Sequence, residues 1–431
     1  MRPRWATDQG EAARTATYQY LPDPYRDTAR AKTAARAVTI GLWAAAAVSW
    51  GLLYRLILGE KNLGWDLLTA WRAEKAFAHG GAPYAVKAFV YPPSSLILLR
   101  PIADLNQHQL TVGGLVFVTV VAWLSVMVAA TAIGLKWWGP VTAACVLLLS
   151  LVGAMRGEMP LENVSILMFL AIALFFLFVF RNHWIAAAVV IGLSISIKPL
   201  LLAVLIVFLL FRRWKAFGVA VAIPVVLNGI GISLVSDPRQ VLSKLPSLFN
   251  RSGSGVAYNS AWVDVARELG IPDGLTIVLR FLTVLLVIAA AWLAWNRLKD
   301  QRLRIITVTS VLLMGVFLAG TLSEYHFMLT LVPLAMTVMI AGSPIRSIPG
   351  VIGICWIMDV LGPPSAVFGL SDNARDSAFR AIGMGVVLVT IIVSLARRPH
   401  NQLETDPERE SRVQRPVEPQ TSELVGASAS S

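Results

Sequence analysis

The chain has 431 residues, 56% of them hydrophobic and only 14% charged, and its formal net charge is +12. A soluble domain carries about 25% charged residues, so this composition excludes a soluble fold and predicts an all-α integral membrane protein. Nucleic acid is not an expected partner, because the arginines and lysines cluster beside apolar stretches instead of forming a soluble basic domain.

In chain order, residues 1–36 form a polar, Arg-rich segment, and the first apolar stretch is Val38–Ile57. That stretch is too long and too far into the chain for a secretory signal peptide, so it reads as a first membrane span. A spanning helix needs roughly 20 predominantly apolar residues, and Val112–Leu135, Val164–Phe180 and Ile277–Trp295 are further candidates. Basic clusters at Arg26–Arg36, Arg181, Arg212–Lys215, Arg297–Arg304 and Arg397–Arg398 border these runs. The positive-inside rule then puts both chain ends in the cytoplasm.

Between Arg181 and Arg212 lies one apolar stretch, broken near its middle by Lys198–Pro199. If both clusters are cytoplasmic, the stretch must return to the side it left. Proline lacks the amide proton and disfavours helix in the preceding residue. A hairpin of two short helices over 185–211 is therefore expected, with Lys198 deep in the protein; a single tilted span is the alternative. Further spans near 216–235, 275–295, 305–322, 328–342, 348–361 and 378–396 bring the total to about twelve apolar segments. Residues 37–396 thus form one polytopic membrane domain. The tail 397–431, rich in Glu, Arg, Pro, Gln and Ser, is expected to be disordered and cytoplasmic.

This topology places the connections 58–110, 154–163, 236–274, 323–327 and 362–377 outside the cytoplasm, at the plasma membrane's outer face. They carry Asp66, Arg156, Glu158, Glu162, Asn259, Asp264, Glu324 and His326. Asp66 is either a solvated helix cap or a general base for an acceptor hydroxyl. Lys198 is an ionisable residue inside the membrane domain, hence a functional candidate; its partner is either a lipid-linked phosphate or a carboxylate such as Glu158 or Glu162. His326 and Arg156 could stabilise a departing phosphate, or they face water only because turns do. Cys145 and Cys355 sit in apolar segments and read as packing. No metal-ligand spacing and no Gly-rich nucleotide loop is visible, so neither a metal nor another cofactor is expected, and a group donor would arrive through the membrane.

Several motifs carry a resemblance. Asp66 after the first span, Gly80–Gly81–Ala82–Pro83–Tyr84, Val90–Tyr91–Pro92–Pro93, Glu162–Asn163–Val164, Ile197–Lys198–Pro199–Leu200–Leu201 and His326 together resemble the family 87 glycosyltransferases over roughly residues 37–396. These are membrane enzymes of the GT-C type that use polyprenyl-phosphate sugars in envelope assembly. The resemblance implies a GT-C-like helical bundle and inverting transfer to a cell-envelope polysaccharide, glycolipid or lipoglycan. It also implies that Asp66 is the base, that Lys198 and His326 contact the donor phosphate, and that Tyr91 and Asn163 line the site. Arg156, as a further phosphate contact, and Tyr84, Asn259 and Glu324, as further substrate-binding candidates, complete the expected set. The Lys-Pro-Leu-Leu segment, with Pro224, Asn228 and Leu234–Val235–Ser236–Asp237–Pro238, is most similar to the arabinofuranosyl-transferring members, which implies a decaprenyl-phosphoryl arabinose donor. His326 fits the neighbouring α-mannosyl subgroup better. Two departures stand out: Trp65 and Leu67 flank Asp66 where many GT-C enzymes have paired acids, and Met159–Asn163 replaces a Gly-Gln-x-Asn pattern. A transporter or lipid flippase is the rival from another class, although the chain lacks the paired repeats usual in such folds.

Overall fold

The computed structural model describes residues 29–60, 63–249, 259–360 and 372–398. Most of the N-terminal segment and of the C-terminal tail lies outside the described residues. So do parts of the connections expected at 236–274 and 362–377.

The first helices are α1 (Ala29–Ile57), α2 (Trp65–Ala78), α3 (Pro93–Leu98), α4 (Gln107–Ala132), α5 (Pro140–Leu149), α6 (Gly153–Leu161), α7 (Ile166–Phe180) and α8 (Trp184–Ile197). They are followed by α9 (Leu205–Leu210), α10 (Trp214–Leu234), α11 (Pro238–Phe249), α12 (Trp262–Glu268), α13 (Asp273–Arg297), α14 (Gln301–Ala319), α15 (Val332–Met336), α16 (Ile348–Ile357) and α17 (Asp372–Ala396). Among the described residues there is no strand, only an isolated antiparallel bridge between Asn259 and Glu324. The protein is therefore an all-α polytopic membrane protein. Six helices (α1, α4, α10, α13, α14 and α17) contain stretches long and apolar enough to cross a bilayer.

Local chemistry explains the helix starts. Asn106 and Gln109 form a reciprocal capping box at α4. The Asp300 carboxylate accepts from the backbone N–H of Arg302 and Leu303 at α14. Pro140 opens α5, where its missing N–H costs nothing.

Two expected spans are broken. The segment expected to cross before Met155 bends by 63° between α5 and α6. The one expected at 328–342 is divided into a 3₁₀ turn (Tyr325–Leu331), α15 and another 3₁₀ turn (Thr337–Met339). The second break begins beside Glu324 and His326, and α6, which follows the first, carries Glu158.

The 185–211 segment folds back on itself. As one continuous helix its ends would stand about 40 Å apart. Instead the Arg213 guanidinium lies 4.9 Å from the Trp184 ring centroid, and the Trp184 and Phe211 rings are 5.4 Å apart. The break is at Lys198, whose backbone is extended (φ −150°, ψ 124°) before Pro199 opens a 3₁₀ turn. The bundle end that holds Trp184 and Arg213 also gathers Arg302 over Phe180, at 5.9 Å, and Trp295 against Phe211, at 4.8 Å. Lys198 is at the opposite end.

Candidate active site

Asp66 lies in the first turn of α2, where a carboxylate complements the free N–H groups and the helix dipole. Gly64 fixes that start. Its backbone has φ 74°, which a residue with a side chain rarely adopts, and its N–H donates to Pro160 O at 2.7 Å. The end of α6 thereby anchors the beginning of α2.

α6 stops at Glu162, which takes a left-handed conformation. In the link that follows, the Asn163 carbonyl oxygen accepts from the backbone N–H and the hydroxyl of Ser165, at 2.8 and 2.7 Å. Asparagine often closes such a local turn. The Asn163 amide is then free to donate to Asp66 Oδ2 at 2.6 Å. Ser165 also accepts a hydrogen bond from Lys198 Nζ at 2.7 Å. The same ammonium is 3.9 Å from Glu324 Oε2 and 4.4 Å from the Phe327 ring centroid, with Tyr91 at 5.9 Å.

Glu324 continues the chain of contacts. His326 Nε2 is 3.0 Å from Glu324 Oε2, and His326 Nδ1 is 3.7 Å from Glu158 Oε2. Asp66, Asn163, Ser165, Lys198, Glu324, His326 and Glu158 thus form one connected polar network drawn from four separate stretches of chain. Asp66 is only partly exposed, while Glu158 and His326 are buried. Burial and the nearby Glu324 charge raise the Asp66 carboxyl above its ordinary range, against the opposing pull of His326, Lys198 and the Asn163 hydrogen bond. A carboxylate so placed is more basic than one in water.

The other expected residues occupy varied positions. Asn259 is buried, and its side chain is engaged within the protein. Its amide donates to Asp264 and to Thr321 O, while its carbonyl accepts from the N–H groups of Ala261 and Ser323. It therefore holds the turn that presents Glu324. Tyr84 is buried and donates to Tyr91 O at 3.0 Å, which supports the Tyr91 segment from behind. Arg156 is exposed on α6, with Asp359 close enough for its charge to be felt, and it stands outside the network. Ser165 escaped notice in the sequence, although the Asn163-x-Ser165 spacing is that of an asparagine turn. Glu158 appeared there as an outer-connection residue and a possible partner of Lys198; its contact with His326 crosses 168 positions and leaves no local signal. No group of three or more His, Cys, Asp or Glu among the described residues is arranged to hold a metal ion.

The profile of glycosyltransferase family 87 matches residues 89–323, more than half of the chain. The chain belongs to glycosyltransferase family 87. An α-(1→3)-arabinofuranosyltransferase of Mycobacterium tuberculosis is 26% identical over 373 residues, covering 81% of this chain and 82% of the relative. Enzymes of the same name from Mycolicibacterium smegmatis and Corynebacterium glutamicum are 26% identical over 319 residues and 24% identical over 346 residues. These cover 72% and 76% of this chain, and 70% and 80% of the relatives. No solved structure matches. The protein is thus a membrane glycosyltransferase, and a glycosyltransferase takes a sugar donor and a glycan acceptor. The matched stretch includes Tyr91, Asn163, Ser165 and Lys198; Asp66 precedes it, and Glu324 follows immediately after.

Proposed function

We propose that this glycosyltransferase transfers an arabinofuranosyl residue from a polyprenyl-phosphate donor, decaprenyl-phosphoryl arabinose, to an envelope glycan at the extracytoplasmic face of the plasma membrane. The observation that carries the proposal is the network joining Asp66 to Lys198 and His326. It combines a basic carboxylate, an ammonium and an imidazole at one end of a membrane bundle, groups that single-displacement transfer from a lipid phosphate can use.

In this mechanism Asp66 takes the acceptor hydroxyl proton as that oxygen attacks the anomeric carbon. The bond from the anomeric carbon to the phosphate oxygen breaks with inversion, and its electron pair leaves on the polyprenyl phosphate. Lys198 stabilises the charge gathering on that phosphate, and His326 donates a hydrogen bond to it. Asn163 orients Asp66 by holding Oδ2, and Ser165 links that orientation to Lys198. Glu158 and Glu324 flank the imidazole, and Tyr91 forms one wall beside the ammonium.

Arabinose is favoured over mannose because the relatives across most of the chain are named arabinofuranosyltransferases. The extracytoplasmic placement is supported by the separation of the network from the basic end of the bundle. The test supplies membranes containing the protein with labelled decaprenyl-phosphoryl arabinose or mannose and an arabinan or mannan acceptor, followed by linkage analysis. An α-(1→3)-arabinofuranosyl product is expected. A product from mannose alone would overturn the sugar, and no product from either donor would overturn the donor class.

A further inference from the structure

The basic end contains a feature that glycosyl transfer does not use. Helices α7 and α9 end in matching turns. The N–H groups of Asn182 and His183 donate to Val179 O and Phe178 O, and those of Arg212 and Arg213 donate to Leu209 O and Phe208 O. Asn182 and Arg212 are both left-handed, with φ 60° and 53°. A tryptophan, Trp184 or Trp214, then opens the next helix, and neither helix start has a side-chain cap.

The two turns border one cavity of about 740 Å³, lined by His183, Arg212, Arg213 and Lys215 together with the first turns of α8 and α10. A second cavity of about 630 Å³ shares Arg212 and Trp214 with it and continues along Leu209, Leu210, Phe211 and Trp295 to Arg304. Among the described residues lining the two cavities there is no carboxylate. Arg213 is stacked on Trp184 and Arg304 is occupied by Leu298 O, whereas Arg212, Arg213 and Lys215 lie together in the lining of the first cavity. Leu210 and Trp214, 39% and 64% exposed, give the adjoining groove an open apolar wall.

A cationic cradle continuous with an apolar groove suits an amphiphile better than a free anion. We propose that the paired turns bind the headgroup phosphate of an anionic membrane phospholipid, with an acyl chain lying along α9. The phosphate is held by Arg212, Arg213 and Lys215, with the uncapped N–H groups of α8 and α10 in support. Trp214 sits at the boundary between headgroup and chain, where an indole is most at home.

The test uses the full-length purified protein in phosphatidylcholine nanodiscs with or without phosphatidylglycerol. It measures bound lipid by native mass spectrometry and melting temperature by tryptophan fluorescence. Phosphatidylglycerol should be retained selectively and should raise the melting temperature. Substitution R212Q/R213Q/K215Q should weaken retention at least about tenfold, given roughly 1 kcal/mol per basic residue near an anionic surface. R212K/R213K should preserve it. Transfer activity in phosphatidylcholine should survive in both variants, which separates loss of the lipid site from failure to fold. Unchanged phosphatidylglycerol selectivity in R212Q/R213Q/K215Q would overturn the proposal. So would an equal loss in R36Q/K299Q/R397Q, since that would reveal only diffuse surface attraction. Full competition by millimolar glycerol 3-phosphate would replace the lipid with a soluble anion.

Discussion

The two ends of the bundle are both rich in ionisable groups, and they treat them in opposite ways. At the Asp66 end, charged and polar side chains bind one another: Asp66 to Asn163, Lys198 to Ser165, and His326 between Glu324 and Glu158. At the Trp184 end, cations meet aromatic faces or backbone carbonyls, as with Arg213 on Trp184 and Arg398 on Gly342 O. A network of side chains has interdependent geometry, because moving one member unpairs the next in a poorly solvated site. A set of separate cation contacts lacks that dependence. The first arrangement suits positioned proton transfer, while the second suits electrostatic orientation and adhesion. Substitutions should therefore act on rate at one end and chiefly on stability or lipid preference at the other.

The largest effect is expected at Asp66. Asp66→Asn keeps the shape and removes the base, so transfer should fall about 10²–10⁴-fold while membrane insertion and melting temperature stay close to wild type. Near-normal turnover in that variant would remove Asp66 from the chemistry. Lys198→Met should follow, with kcat about 10²–10³-fold lower if the ammonium stabilises the leaving phosphate. Ser165→Ala should cost less than either, because it removes only the hydroxyl that steadies both neighbours. A Ser165→Ala defect larger than that of Lys198→Met would reverse the roles of support and contact.

How much of this division was legible in the sequence follows from the range of each interaction. Apolar runs and basic borders are local properties, so the membrane class and the reversal at Lys198–Pro199 could be read directly. Asp66, Lys198 and His326 stood out individually because ionisable groups are conspicuous among apolar neighbours. Their connection did not, since the Asp66–Asn163 hydrogen bond spans 97 positions. Asn259 looked like a binding residue because it was polar and in a loop. Its hydrogen bonds to residues 321–323 make it a brace for Glu324, and that role depends on a tertiary contact. The bend between α5 and α6 was invisible for the same reason: composition alone fits an unbroken span.

Gly157 tests whether the network depends on the ring packed beside it. A Cβ at that position would run into the Tyr325 ring, and Tyr325 sits between Glu324 and His326. Gly157→Ala must displace the Tyr325 ring, with an expected stability cost of about 1–3 kcal/mol and, if the neighbouring Glu324 and His326 follow, a fall in kcat. Thermal denaturation in detergent and turnover should be measured together. A variant neutral in both would mean that the ring yields without disturbing its neighbours.

A smaller effect is expected in the pH profile. If Asp66 must be ionised, activity is lost as pH falls through its pKa, and the raised carboxyl places that acid limb above the ordinary carboxylate range. The Glu324 charge contributes to the elevation. Glu324→Gln should therefore move the acid limb of kcat/KM to lower pH, whatever it does to the maximum rate. His326→Gln removes an opposing influence and should move the limb upward. A limb that shifts the same way in both variants belongs to another group.

The smallest effect is expected at Arg213. Its guanidinium is exposed and stacks on Trp184 at 4.9 Å, an arrangement worth at most about 0.5–1 kcal/mol where water reaches the cation. Arg213→Gln in phosphatidylcholine should lower the melting temperature only slightly and leave kcat unchanged, because no contact in the Asp66 network involves this turn. Helix α8, whose Trp184 carries that guanidinium, nevertheless ends beside Lys198, so it is a rigid link between the two ends. If Arg213→Gln slowed turnover as much as Ser165→Ala does, α8 would be transmitting strain along its length. The ends would then be one coupled system.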